Sequence, residues 1–373
     1  MNSKIWLSPP HMSGNEQKYI EEAFHSNWIA PLGPNVDGFE KDIENYLSEN
    51  KFATVLSSGT AALHLALILL GVKKNDEVIC QTKTFVASVN PVIYQGAKPI
   101  FVDSEEDTWN MCPELLEKAI NERIALGKKP KAIIVINLYG MPYKVNDIHA
   151  ISDQYSIPVI EDSAEALGSH VSGRKCGTFG DFSVLSFNGN KIITTSGGGA
   201  LISSDQASKS RSIYLATQAK EPGNEYSHNT IGYNYRMSNI IAGIGRGQMK
   251  VLDQYVEKRR SNFEYYKQQL DHLAELNFLN EPEGYYSNRW LTCIALESRQ
   301  FRDELMDLLN EHNIEARPSW KPMHLQPLFE DAPKFLNGVS DNLYECALCL
   351  PSGSNLTKDD LDRIVNLIKG YFE

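Results

Sequence analysis

The chain has 373 residues, enough to bury a substantial core as one large domain with a smaller companion or as two moderate domains, which excludes a single small module. With 42 % hydrophobic, 22 % charged and 10 % aromatic residues and no low-complexity tract, it has the composition of a globular protein rather than a disordered one. Its 36 Lys and Arg stand against 47 Asp and Glu, a formal net charge of −11, which argues against nucleic acid as a partner and leaves an anionic ligand possible through backbone amides and a few local cations.

The opening "MNSKIWLSPPHMSGNEQ" carries no apolar leader core, and no later stretch approaches the roughly 18 uninterrupted apolar residues of a membrane span, so a cytoplasmic protein with no membrane partner is expected. Two helices, "GNEQKYIEEAFHS" and "VDGFEKDIENYLS", flank the breaker-rich "NWIAPLGPN", with Asn35 as the expected N-cap of the second. From Phe52 onward short apolar runs alternate with helical patterns. "FATVLSSGT" leads into "AALHLALILLG", "EVICQT" into "FVASVNPVIYQ", and "KPIFVD" precedes a helix near 114–124, after which "KAIIVINLYG" and "IPVIEDSAEALGS" supply two more strands. Such alternation predicts an α/β domain with a mostly parallel sheet covered on both faces, its functional groups gathered at the carboxyl ends of the strands. After "GALISSD" come a helix, a polar loop and a long helical stretch over 239–273. A strand "NRWLTCIALE", a helix "RDELMDLLNEH", a strand around 314–317 and a closing helix over 358–371 complete the chain. The expected boundary lies near residue 250, giving domains 1–250 and 251–373. Six cysteines are scattered. Cys346 and Cys349 form one CxxC in "YECALCL", but with no second pair nearby and apolar neighbours they read as core packing, and no metal is expected.

Three stretches carry chemistry. In "SSGTAALHLAL" a strand ends, Ser57-Ser58-Gly59-Thr60 turns and a helix begins, so unpaired N–H groups and the positive helix end face one spot, which suits a phosphate and equally suits a plain helix cap. In "VIEDSAEALGS" Glu161 and Asp162 end an apolar strand, where a buried carboxylate needs a cation or a protonated ring nitrogen unless it caps the next helix. In "SFNGNKIITTSGGGAL" Lys191 follows a buried strand, either snorkelling outward or held as a nucleophilic amine, and Gly197–Gly199 suit close approach of backbone or ligand. A phosphate cradle, a carboxylate for a pyridine nitrogen and a lysine for a Schiff base are together what pyridoxal 5′-phosphate needs.

On these motifs the chain resembles the DegT/DnrJ/EryC/StrS family of sugar-nucleotide aminotransferases over essentially its whole length, from "LSPPHMSGNEQKYIEEAF" to "CLPSGSNLTKDD". Through "SNWIAPLG", "IEDSAEALGS", "NGNKIITTSGGG", "GYNYRMSN" and "SNRWL" it is most similar to the transaminases of bacillosamine biosynthesis. The resemblance implies fold type I, like aspartate aminotransferase: a large cofactor-binding domain with a mixed, mostly parallel seven-stranded sheet, and a smaller C-terminal α+β domain. It implies transfer of the amino group of L-glutamate to C4 of a UDP-2-acetamido-2,6-dideoxy-4-keto-hexose, with pyridoxamine 5′-phosphate as the carrier between the two half-reactions. Matching positions imply that Lys191 forms the internal aldimine, Asp162 pairs with the pyridinium nitrogen and Phe85 stacks on the ring. They also imply that Gly59, Thr60, Ala61 and Ser186 bind the phosphate, and that Asn234 reaches it from the neighbouring subunit of a homodimer with shared active sites. Many family members carry Gln near the cofactor's O3′ where this chain has Glu165, as the bacillosamine-type enzymes do. Trp28, Asn190, Arg289, Arg317 and His324 lie in segments similar to the family's sugar-nucleotide contacts, and arginine suits a diphosphate or a carboxylate.

Other readings meet specific residues. The related C3 dehydratases carry histidine where Lys191 stands. A lyase of the same fold type would lack "SNWIAPLG" and "GYNYRMSN". The intact lysine, aspartate and phosphate turn disfavour a regulatory protein with a vestigial cofactor domain, and no GxGxxG follows the first strand to support a nucleotide-binding Rossmann protein. An aminotransferase acting on a GDP-linked sugar, of the perosamine-synthase kind, shares the "GNK" turn and stays open.

Overall fold

The protein is represented by a computed structural model that describes residues 3–372. Its strands are β1 (Phe52–Leu56), β2 (Glu77–Gln81), β3 (Lys98–Val102), β4 (Ala132–Ile136), β5 (Val159–Asp162), β6 (His170–Val171), β7 (Arg174–Lys175), β8 (Phe182–Ser186), β9 (Gly199–Ser203), β10 (Leu276–Phe278), β11 (Tyr285–Tyr286), β12 (Thr292–Leu296), β13 (Arg317–Pro318), β14 (Lys334–Phe335) and β15 (Ala347–Leu350). The main sheet has eight strands in the order β1-β9-β8-β5-β4-β2-β3-β14. The eighth, beyond the seven expected, is the two-residue β14, which returns from the C-terminal part of the chain to pair with β3. All neighbours are parallel except for β9, which runs antiparallel to both β1 and β8.

Alternation along the central strands explains why the sheet is covered on both sides. In β4, Ile134 and Ile136 face the cluster that includes Leu63 and Ala66 of the apolar helix Gly59–Leu69, whereas Ile133 and Val135 face Leu116, Ile120 and Ile148 of the helices Pro113–Ala125 and Val145–Tyr155. Toward the β1 edge the second face is covered by Val36, Phe39 and Ile43 of the helix Pro34–Leu47. Behind it the antiparallel sheet β10-β12-β15-β13 packs on the helices Leu252–Leu270, Arg299–Glu311 and Lys358–Phe372. The predicted stretch 239–273 is two helices, Asn239–Met249 and Leu252–Leu270, separated by Lys250 and the non-helical Val251.

Asn35 is not the cap of its helix. Gly33 holds that position at φ 138, Pro34 opens the helix, and the buried Asn35 lies inside it. The cap comes from 200 residues away: Asn239 Oδ1 accepts from Asn35 N at 2.9 Å and Val36 N at 3.3 Å, while Asn239 Nδ2 donates to Trp28 O at 3.1 Å. A Cβ on Gly33 would stand 2.7 Å from Asn239 Oδ1, so the motifs "SNWIAPLG" and "GYNYRMSN" are halves of one contact. Asn239→Ala should lower stability by about 1–2 kcal/mol, the usual cost of a lost cap, read as a reduced urea midpoint with an unchanged slope.

Candidate active site

The strand ends open on a cavity of about 650 Å³. At its floor the helix Gly59–Leu69 begins with Ser58 as N-cap, extended at φ −167, and Ser58 Oγ accepts from Ala61 N at 3.0 Å. The Ala61 amide is thereby engaged within the turn, which leaves the amides of Gly59 and Thr60 at the positive end of the helix. Gly59 lies against Ser186 at the end of β8: a Cβ on the glycine would come 3.3 Å from Ser186 Cβ. The glycine run is explained here. A Cβ on Gly199 would stand 2.3 Å from Gly59 N and 2.4 Å from Ser58 C, so the bare backbone of β9 is what lets the turn sit beside Ser186.

The two carboxylates of β5 separate by the pleat. Glu161, fully buried, accepts from Gly177 N, Phe179 N, Ser183 Oγ and Asn137 Nδ2 at 2.8 to 3.0 Å, and so holds the loop before β8. Asp162 faces the cavity with two neutral donors, Ser88 Oγ at 2.7 Å on Oδ2 and Ala164 N at 3.1 Å on Oδ1. Burial pushes its carboxyl above the ordinary aspartate value, against these two bonds. A protonated ring nitrogen would offset that burial.

Because β5 and β8 are adjacent and parallel, the turn after β8 brings Lys191 to the same cavity. Lys191 Nζ lies 3.2 Å from Glu165 Oε1 and 4.2 Å from the Trp290 ring centroid. Glu165 Oε2 accepts from Tyr139 N at 2.7 Å. Burial pushes the Glu165 carboxyl up to about 7 against the pull of Lys191 and of that amide. Tyr139 is buried with φ 55, a left-handed conformation that costs a non-glycine residue about 1–3 kcal/mol, and its strain aims N–H at Glu165 while its hydroxyl accepts from Trp320 N at 2.8 Å. The carbonyl of Asn190 receives Ser8 Oγ at 2.7 Å and Trp290 Nε1 at 2.6 Å, which fixes the lysine turn from behind.

At the mouth the Phe85 ring is 54 % exposed and 5.5 Å from Trp320. Arg317 reaches the cavity, its Nε donating to Glu315 Oε1 at 2.8 Å, while Glu315 Oε2 accepts from Leu7 N. Four expected residues lie elsewhere in this chain. Trp28 is on an exposed loop, and Asn234 is exposed and does not line the cavity. Arg289 turns away: its Nη1 donates to Leu279 O at 2.6 Å and its guanidinium covers Phe263 at 3.6 Å. His324 is buried against Thr82 Oγ1 at 2.7 Å, with Nε2 2.9 Å from Asp341 Oδ1 but not aligned for a hydrogen bond.

Ser88, Tyr139, Trp290, Trp320 and Glu315 were not anticipated. Trp290 and Trp320 do stand in "SNRWL" and "RPSWKPMH", and their signal was a large aromatic within a polar segment. One further cation is hidden in the wall: Lys83, fully buried, donates to Ser319 Oγ at 2.7 Å and Trp320 O at 2.9 Å. The cysteines are all buried; Cys349 faces Cys293 across the sheet while Cys346 ends the helix Val339–Cys346, so the CxxC is not a facing pair. Among the described residues no cluster of His, Cys, Asp or Glu is arranged for a metal, and no helix is long and apolar enough to cross a membrane.

A lysine, a buried carboxylate, a phosphate-sized turn backed by glycine and an exposed aromatic ring around one cavity fit pyridoxal 5′-phosphate, and on this doubly covered sheet they define a fold type I enzyme. Residues 10–369 match the DegT/DnrJ/EryC1/StrS aminotransferase family. The chain is similar, at 51 % identity over 100 % of its length and 97 % of the relative, to the Bacillus subtilis protein EpsN, named as a pyridoxal phosphate-dependent aminotransferase. It is 37 % identical to the GDP-perosamine synthase of Vibrio cholerae over 97 % of this chain and 98 % of that one. A Streptococcus pneumoniae protein described as a sugar aminotransferase, solved in its PLP form, superimposes with a TM-score of 0.91 at 26 % identity over 99 % of this chain and 98 % of its own. The protein belongs to the DegT/DnrJ/EryC1/StrS family and is a pyridoxal-phosphate-dependent sugar aminotransferase.

Gly199→Ala must displace the Gly59 turn, so it should cost about 1–3 kcal/mol and weaken cofactor uptake in an absorbance titration, whereas Gly197→Ala, with nothing within 4 Å of the added Cβ, should not. Burial lowers the Lys83 ammonium from its ordinary 10.5 to about 7. Between those values the unfolded chain holds a proton that the folded chain lacks, so this group reduces stability as the pH is lowered through the window. Relative to Lys83→Met, the wild type should therefore lose a few kcal/mol between about pH 10 and about pH 7, measured by denaturant unfolding.

Proposed function

We propose that this aminotransferase takes the amino group of L-glutamate and delivers it to C4 of a UDP-linked 2-acetamido-2,6-dideoxy-4-keto-hexose, working as a homodimer with shared active sites. The reading is carried by the meeting of Lys191 and Asp162 in one cavity that also holds Arg317 at its mouth, together with the bacillosamine-type motifs around Glu165. Bound pyridoxal 5′-phosphate supplies an electron sink at the substrate carbon and, in its amine form, carries nitrogen from glutamate to the ketone.

The chain's own residues do the rest. The Gly59 and Thr60 amides and the Ser186 hydroxyl bind the phosphate, and Phe85 offers its exposed ring to the cofactor's face. Asp162 holds a proton on the ring nitrogen, a charge-assisted bond formed where water is excluded. Lys191 Nζ moves the proton at the reacting carbon in each half-reaction. Arg317 offers its guanidinium to a diphosphate or to the second carboxylate of glutamate, and Asn190 faces the same opening. Glutamate and the sugar nucleotide use the cavity in turn, the ping-pong order. Asn234 is exposed and lies off its own cavity, which supports a role for the partner subunit's Asn234 at the phosphate.

The purified protein should be yellow and bleach on adding glutamate, and borohydride reduction of the yellow form should leave the cofactor's mass on the Lys191 peptide but none on Lys191→Ala. Asp162→Asn should keep the cofactor and lose at least about a hundredfold in turnover, the scale of removing one preorganised charge contact. Incubation with glutamate and a panel of 4-keto sugar nucleotides, read by mass spectrometry and NMR, tests the substrate. Preference for the GDP-linked 4-keto-6-deoxymannose would favour the second reading, a perosamine-synthase-like activity, which the 37 % identity to such an enzyme supports.

A further inference from the structure

We propose that Glu165 is the proton partner of Lys191: its Oε1 accepts the proton that Nζ carries as an ammonium and returns it when the lysine must again be charged. Glu165 is then a catalytic group rather than a spacer beside the ring. The inference rests on Lys191 being the cofactor lysine, as in the proposed function.

Among the described residues Glu165 is the one carboxylate within ion-pair distance of Lys191 Nζ, at 3.2 Å. The nearby alternatives are engaged. Asp162 is bound by Ser88 Oγ and Ala164 N on its two oxygens, and Glu315 by Arg317 and Leu7 N. Trp290, on another side of Nζ, provides no acceptor, because the indole N–H is a donor and is directed to Asn190 O. Tyr139 N–H holds Glu165 Oε2 at 2.7 Å, so Oε1 is left for the lysine and the carboxylate cannot rotate freely.

Glu165 is buried and Lys191 nearly so, the glutamate side chain 5 % and the lysine side chain 12 % exposed. Burial penalises an ammonium–carboxylate pair more than an amine–carboxylic acid pair, which lowers the cost of passing the proton from Nζ to Oε1. Glu165, pushed up to about 7, is poised for the exchange. The step breaks one N–H bond and forms one O–H bond; ammonium and carboxylate become amine and carboxylic acid, with no electron transfer and no third reactant. The neutral amine so formed is the species that attacks a carbonyl carbon or removes a proton from carbon. A strained Tyr139 that presents its amide to this carboxylate is the kind of backbone outlier that a working site retains.

Brief acetic anhydride treatment at pH 7 of the full chain without cofactor, with acetylation of each lysine peptide quantified by mass spectrometry, tests the pairing without turnover. In Glu165→Gln the ammonium loses its anion, so Lys191 should be acetylated about tenfold faster than in the wild type. Lys83, fully buried in the adjoining wall, should stay unlabelled in both and reports that the fold is closed. Equal Lys191 labelling with Lys83 protected would overturn the proposal. If Lys83 reacts in Glu165→Gln, Glu165→Asp decides: its shorter carboxylate should give an intermediate rate, and a wild-type rate would overturn it. In the holoenzyme, Glu165→Gln should slow single-turnover bleaching by glutamate about a hundredfold with cofactor affinity little changed. Lost affinity with unslowed bleaching would assign Glu165 to cofactor docking instead and sink the idea. The sugar nucleotide enters none of these measurements, and absent borohydride labelling would identify failure of the underlying reading separately.

Discussion

The site depends on one close approach: the backbone of Gly199 against the turn at Ser58 and Gly59, with room for no Cβ between them. Gly199 is the residue of β9 that stands opposite Leu56 on one side and Ser186 on the other. It therefore sets the spacing between the helix that offers its amides and the strand that ends in the serine. From there the strand order takes over. Because β8 is followed in the sheet by β5, the lysine beyond Ser186 and the aspartate at the end of β5 share one crevice, at the carboxyl ends where an open α/β sheet binds its ligands.

Around that crevice the protein keeps charges in low dielectric and neutralises them sparingly. Asp162 has two neutral donors, Lys83 two neutral acceptors, and Arg259 is wholly buried with Trp290 O and Ser8 Oγ as its partners. Each arrangement costs stability, since burying a charge with neutral partners recovers only part of its hydration. What they achieve is stiffness. Lys83 ties the segment that carries Phe85 to the segment that carries Trp320, and Arg259 braces Trp290 and Ser8, which in turn hold Asn190 and the lysine turn. Positive φ at Tyr139 adds to the same balance, a local strain kept by packing on every side.

Much of this was legible in the residues, and the limits have physical causes. The alternation of apolar runs with helical patterns pointed to a parallel α/β sheet because crossovers of that length leave few other choices. Lys191, Asp162 and the Ser58-Gly59-Thr60 turn stood out because each is chemically odd where it sits. By contrast, "ED" at the end of β5 was ambiguous until the pleat sent Glu161 to the loop at 177–180 and Asp162 to the cavity. Ser88 bears no mark in its sequence neighbourhood; it matters because a short turn after Phe85 drops it onto Asp162 from 74 residues away. Asn35 had the composition of a cap and its neighbours lacked a better one, yet Asn239 took the role because a side chain in the right place outcompetes local propensity.

The sequence by itself determined the class of fold and the cofactor, and it singled out Lys191 and Asp162, because those depend on residue types in a fixed order along short local motifs. Tertiary structure alone decided the partners: Glu165 on Lys191, Trp290 over it, Tyr139 behind it, Gly33 beneath Asn239, and Arg289 and His324 directed away from the cavity. These contacts join residues from 10 to more than 200 positions apart, most of them at least 26. Their distances follow from how sheet and helices pack, and no local pattern encodes them.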